Sequence, residues 1–305
     1  MMSKTCQSPE LDTASILNAF LPQGHKVDFS GKIPTNPIAN PSPALEANSF
    51  YFGNPKWTKA YFDACHRDAA FKSRWMTATG SLDNKIVVDV CCGPGNLYAN
   101  LGGDPKVLIG IDVAYGALEL AQKIGYTPLL ADAQDIPLTS GFADIVALNA
   151  AIHHCDDMEQ VVRESARLVR PGGLLIIDHD PQLSAWNYKG LGMGLYKIRH
   201  LIYQRFMPHL HLAAGEREFA LATEVHHQPG KGVTRELLTE TLEPLDFTVN
   251  LYPHNQAVGA EVFEGVIGDP PHWRYRLGQR LSGINPNTPE AALSIMCVAK
   301  RNSES

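Results

Sequence analysis

The stretch Val87-Val88-Asp89-Val90-Cys91-Cys92-Gly93-Pro94-Gly95-Asn96-Leu97 restricts the fold of this chain more than any other segment. β-Branched residues at 86–88 favour a strand. Gly93, Pro94 and Gly95 end it, and Leu97 and Leu101 return at helical spacing. Small residues in such a turn let the backbone come close to a ligand, and the helix N-terminus behind it presents unpaired N–H groups. Strand, tight turn and helix in this order form the first unit of a nucleotide-binding α/β domain.

A dinucleotide fingerprint needs a third glycine where Tyr98 stands, which counts against a pyrophosphate binder. On Asp89, Gly93 and Gly95 the chain resembles the class I S-adenosylmethionine-dependent methyltransferases, whose first motif is an acid followed by alternating glycines at the end of the first strand. Cys91 replaces the usual first glycine, a departure that a small side chain tolerates if φ there stays negative.

Further blocks follow in order. Val107 to Asp112 is a second apolar strand ending in an acid, about twenty residues after the turn, where a ribose-binding carboxylate is expected. Asp112 also suits the N-cap of the next helix. Thr127 to Ala133 gives a third strand with Asp132-Ala133 just past it. Ala143 to Val146 enters a fourth strand over 144–149, and Pro171-Gly172-Gly173 stops a helix before a fifth, Leu174 to Ile177. Over about residues 85–180 the chain is similar to the ubiquinone/menaquinone-biosynthesis type of this family.

The resemblance implies a Rossmann-like α/β fold: a seven-stranded, mostly parallel sheet with helices on both faces. The sixth and seventh strands are expected at Phe247–Tyr252 and Leu293–Lys300, the seventh antiparallel between the fifth and sixth. It further implies S-adenosyl-L-methionine as cofactor. Asp89, Cys91, Gly93, Gly95 and Asn96 would shape the pocket for its amino acid part, Asp112 and Val113 would hold the ribose and adenine, Asp132 and Ala133 the adenine edge, and Asn149 the sulfonium side. His154, His179 and His254 follow the fourth, fifth and sixth strands, at the carboxyl edge where open α/β sheets bind ligands. They are the candidate catalytic bases, with His226 and His227 as alternatives.

Outside these blocks the chain divides into an irregular proline-rich arm over 1–50, helices over 51–80 that cover the site, and the main domain over 81–305. A helical lid insertion is expected at about 182–230, with Leu191, Leu195, Ile198 and Ile202 on one helical face and Gly190, Gly192 and Gly194 as a hinge. A long connection at 253–292 separates the last two strands. Together the lid and this connection are expected to enclose an aromatic-rich acceptor pocket.

The chain has 305 residues, enough for one large α/β domain with insertions. A net charge of -6, without a basic cluster interleaved with aromatics, argues against nucleic acid as partner. The expected partner is a small-molecule acceptor, and a homo-oligomer stays open. Six scattered cysteines without a C-x-x-C pair, no leader pattern and no apolar run of membrane-spanning length point to a cytoplasmic protein. Asp178, His179, Asp180 and His254 match no metal-ligand spacing, so no metal is expected. The reading is a small-molecule methyltransferase, with oxygen favoured as acceptor atom. Its alternatives are a C-methyltransferase of a quinone or lipid-like acceptor, a nicotinamide-dependent oxidoreductase and a non-catalytic adenosyl-ligand binder.

Overall fold

The computed structural model describes residues 12–206 and 222–303. Its frame is a seven-stranded sheet of order β3-β2-β1-β4-β5-β7-β6. The strands are β1 (Ile86–Val90), β2 (Val107–Asp112), β3 (Thr127–Leu130), β4 (Ala143–Asn149), β5 (Val169–Asp178), β6 (Phe247–His254) and β7 (Ser294–Arg301). β1 to β5 pair in parallel, while β7 runs antiparallel between β5 and β6, as the resemblance implies. Side chains alternate across the sheet. Val88, Val90, Ile109 and Ile111 join one hydrophobic cluster, and Val87 and Leu108 join the other. Burial on both faces explains the near-continuous apolar runs of these strands.

β5 begins at Val169, directly after the helix Met158–Leu168, so Pro171-Gly172-Gly173 lies inside the strand and not ahead of it. The register shift between β4 and β5 at Ala143/Ile145 absorbs that irregularity.

The arm is more regular than its prolines suggest. It contains α1 (Thr13–Asn18) and the start of α2 (Pro43–Gly53), and Leu17 and Ile33 are buried in the core. Pro43 sits in the first turn of α2, where its missing N–H costs no hydrogen bond. Leu130 on the edge strand β3 donates to the Pro34 carbonyl and accepts from Asn36, which pins the arm to the sheet. α3 (Pro55–Ala64) and α4 (Ala69–Thr79) follow.

Beyond β5 lie the helices Leu183–Trp186 and Gly190–Phe206. Part of the expected lid, 207–221, and the side chain of Ile202 lie outside the described residues. Leu191, Leu195 and Ile198 are exposed and do not form a buried face. A Cβ at Gly192 would stand 2.5 Å from the Gly278 carbonyl, so this glycine serves close helix packing and not a hinge. Thr234 caps the helix Arg235–Leu242 by accepting from Leu237 N at 3.0 Å. Among the described residues no helix is long and apolar enough to cross a membrane.

Candidate active site

Parallel pairing places the carboxyl ends of β1 to β4 side by side, with Asp112 level with Leu130 and Asn149 level with Asp178. A cleft opens along this edge. Among its lining residues are Asp89, Cys91, Gly93, Asn96, Asp112, Val113, Asp132, Ala133, Asn149 and His154.

Asp112 accepts from Gly93 N through one oxygen and from Ala114 N through the other, each at 2.8 Å. It thereby ties the glycine turn of β1 to the end of β2 and keeps further lone pairs free. Burial raises its pKa, and the backbone donors pull it back. The helix N-cap is Ala114 and not Asp112. Asp89 is buried and accepts from the Tyr126 hydroxyl at 2.6 Å. Burial lifts its pKa to about 7, against the pull of Tyr126. Asp132 accepts from Gln134 N at 2.9 Å.

Cys91 has φ +55, so the condition of a negative φ is not met. The position demands the left-handed conformation that explains why glycine is usual there. A hydrogen bond with Cys155, followed by burial, pushes the Cys91 thiol well up and keeps it protonated. Gly95 does not line the cleft. Its φ is +86 and an added Cβ would meet Ile124 and Tyr126 at 2.7 Å, so it is a packing glycine. Asn96 donates to the carbonyls of Phe62 and Cys65, which makes it the tether of α3 to the turn.

The three candidate histidines separate. His154 lines the cleft, but burial and then His153 depress its pKa to about 3, too low for an effective base near neutrality. His254 is fully buried and lies 2.7 Å from Asp178 through Nε2, away from the cleft lining. His179 also stands outside the lining, against Asp178 and within 3.4 Å of Arg74. Arg74 is itself fully buried and donates to Asp178 at 3.0 Å. Burial opposes ionisation of Asp178, but His179, His254 and Arg74 outweigh it and hold its pKa well below the usual carboxylate range. This network joins α4 to β5 and β6 and holds His179 with its ring against His66, at 4.9 Å between centroids.

The other wall comes from α2, α3 and the turn after α3, as Leu45, Asn48, Phe52, Tyr61 and His66. Among the described residues neither 182–230 nor 253–292 contributes to the lining of this cleft. Asn48 donates to the His154 carbonyl at 3.1 Å and anchors α2 beside the turn after β4. Tyr61 and His66 form a pair through Oη and Nε2 at 2.9 Å. Burial and then His179 lower the His66 pKa to about 3, so this ring is neutral. Neither was a candidate from sequence: Tyr61 recurs at helical spacing like a core residue, and His66 is a lone histidine beyond the end of α3.

Residues 88–177 match the family model described as a methyltransferase domain. This segment is a class I S-adenosylmethionine-dependent methyltransferase domain. The ubiquinone biosynthesis O-methyltransferase of Thiobacillus denitrificans is 29% identical over 178 residues, 53% of this chain and 75% of that protein. The malonyl-(acyl-carrier protein) O-methyltransferase of Yersinia pestis is 33% identical over 93 residues, 30% of this chain and 35% of that protein. The chain therefore spans about a third of the length of the second relative. The crystal structure of geranyl diphosphate C-methyltransferase from Streptomyces coelicolor A3(2) shares the fold, with a TM-score of 0.50 at 12% identity over 87% of this chain and 100% of that one.

S-adenosylmethionine is the cofactor of such domains, and the cleft has donors and acceptors that fit it. Asp112 and Asp132 keep lone pairs for hydroxyl and amino groups, and the Asn149 and Asn96 Oδ1 atoms are buried without a partner among the described residues.

Proposed function

We propose that this protein transfers the methyl group of S-adenosylmethionine to an acidic oxygen, a carboxylate or an acidic phenol, of a small, partly apolar molecule. The observation that supports this most is the two-sided cleft. One side carries the carboxylates at the strand ends, and the other is the apolar and aromatic wall of α2 and α3.

In this reading Asp112 binds the ribose, Val113, Asp132 and Ala133 frame the adenine, and Asp89, Gly93 and Asn149 face the amino acid end. The cofactor, when bound, supplies an activated methyl group on a sulfonium. What the chain supplies is alignment, which is worth roughly 7–11 kcal/mol of barrier. A general base would add about 10²–10⁴-fold. The two cleft histidines, His66 and His154, are held neutral with pKa values of about 3, so neither is suited to take a proton from an alcohol. That favours an acceptor already ionised at neutral pH. Phe52 and Leu45 exclude water from the bound acceptor, and the Tyr61–His66 pair orients it. The O-methyltransferase names of the two relatives agree with oxygen as acceptor atom, and the net charge of -6 favours a small molecule over nucleic acid.

The test is methyl-labelled S-adenosylmethionine offered with carboxylic acids, acidic phenols, aliphatic alcohols and RNA. Label in the first two classes, above the alcohols, is expected. Label only in RNA, only in alcohols, or in nothing would overturn the reading.

A further inference from the structure

His153, His154 and Glu224 each bring a ligand atom to within 4.8 Å of the others. The two histidines lie on the turn after β4, and Glu224 comes from a segment about 70 residues later that folds back on it. Sequence spacing alone could not reveal such a cluster.

Both imidazoles are oriented through Nδ1. That atom of His153 is 2.6 Å from Asp180 Oδ1, and that of His154 is 2.8 Å from the Thr223 carbonyl. A carboxylate and a carbonyl only accept, so Nδ1 carries the hydrogen and the neutral ring keeps its lone pair on Nε2. Metal-ligating histidines are held in this way, with the second nitrogen donating to a carboxylate or carbonyl. Asp180 is buried, and its Oδ2 has no partner among the described residues.

His153 Nε2 and Glu224 Oε2 are 3.7 Å apart. That is too long for a hydrogen bond. Two ligands on one tetrahedral ion, at bond lengths of about 2.0–2.1 Å, stand roughly 3.3 Å from each other. His227, whose Nδ1 lies 2.9 Å from Glu224, is at hand as a further donor. Two imidazoles with one carboxylate suit zinc, cobalt(II) or nickel(II) better than magnesium or calcium.

We infer that His153, His154 and Glu224 form a binding site for a divalent transition-metal ion of the zinc class, with Asp180 and Thr223 orienting the two rings. The ion would clamp the segment of Glu224 and His227 onto the turn after β4. Because His154 also lines the cleft, this clamp borders the acceptor.

The experiment titrates zinc chloride into chelator-treated protein by calorimetry, with thermal unfolding in parallel and cobalt(II) absorption as the probe of ligand type. One equivalent of zinc, a raised Tm and a cobalt spectrum free of thiolate charge transfer are expected. Glu224→Gln and His153→Gln should each weaken binding at least tenfold. Glu224 is 38% exposed in its side chain, so its variant keeps the test valid even if the buried His153 variant does not fold. Absence of binding, affinity unchanged in Glu224→Gln, or a thiolate signature from Cys91 and Cys155 would overturn the assignment.

Discussion

Replacing Asp89 with asparagine should make the ligand-free protein more stable and its cofactor binding weaker. Asp89 is 2% exposed, and its pKa is raised from 3.8 to about 7, chiefly by burial. A carboxyl whose folded pKa exceeds its unfolded value favours folding less as pH rises, because the unfolded chain releases the proton first. The penalty begins near the unfolded pKa and is complete above about pH 7. At about 1.4 kcal/mol per pKa unit it reaches on the order of 4 kcal/mol at pH 8, with roughly 2 kcal/mol already present at pH 5. Asparagine carries no charge and can still accept from the Tyr126 hydroxyl through Oδ1. Thermal unfolding of both proteins from pH 5 to 8.5, without ligand, reads the effect. The variant should gain on the wild type by about 2–3 kcal/mol over that range. A gap that does not change with pH would refute the reasoning, since only the titration of Asp89 distinguishes the two chains. The variant should also bind S-adenosylhomocysteine more weakly, because it lacks the carboxylate proposed to face the ligand's ammonium group.

Three other substitutions test separate parts of the account. Gly95→Ala places a Cβ 2.7 Å from Ile124 and Tyr126 at φ +86, and should cost about 2–4 kcal/mol in chemical denaturation. Cys91→Gly removes a left-handed non-glycine residue at φ +55; it should leave stability unchanged or raise it by up to about 1 kcal/mol, and a loss above that size would contradict the strain. Arg74→Leu leaves the buried Asp178 carboxylate without its guanidinium, and a loss of about 3–5 kcal/mol in denaturant titrations is expected.

The sheet and the strand-end side of the cleft were legible because both rest on short-range patterns. Asp89, Asp112, Asp132 and Asn149 each stand at or just past the end of an apolar run, and parallel pairing brings run ends to one edge. What stayed hidden depends on how distant elements dock. Leu45, Asn48, Tyr61 and His66 reach the cleft only because α2 and α3 lie across the strand ends, held by the bonds of Asn48 and Asn96. His179 and His254 occupy the positions expected of catalytic groups, yet Arg74, from a helix remote in sequence, draws Asp178 into a buried network that holds them outside the cleft lining. The backbone of Cys91 was misjudged for a local reason: the turn needs positive φ whether or not glycine stands there.

The central claim is that the cleft at the ends of β1 to β4 holds S-adenosylmethionine through Asp112. Calorimetric titration with S-adenosylhomocysteine, comparing the wild type with Asp112→Ala and using NADH as control, tests it most directly. The account predicts binding to the wild type, none of NADH, and a loss of about 1.5–3 kcal/mol in the variant, or roughly ten- to 150-fold in Kd. Equal affinity of the two proteins for S-adenosylhomocysteine, or binding of NADH in its place, would contradict it.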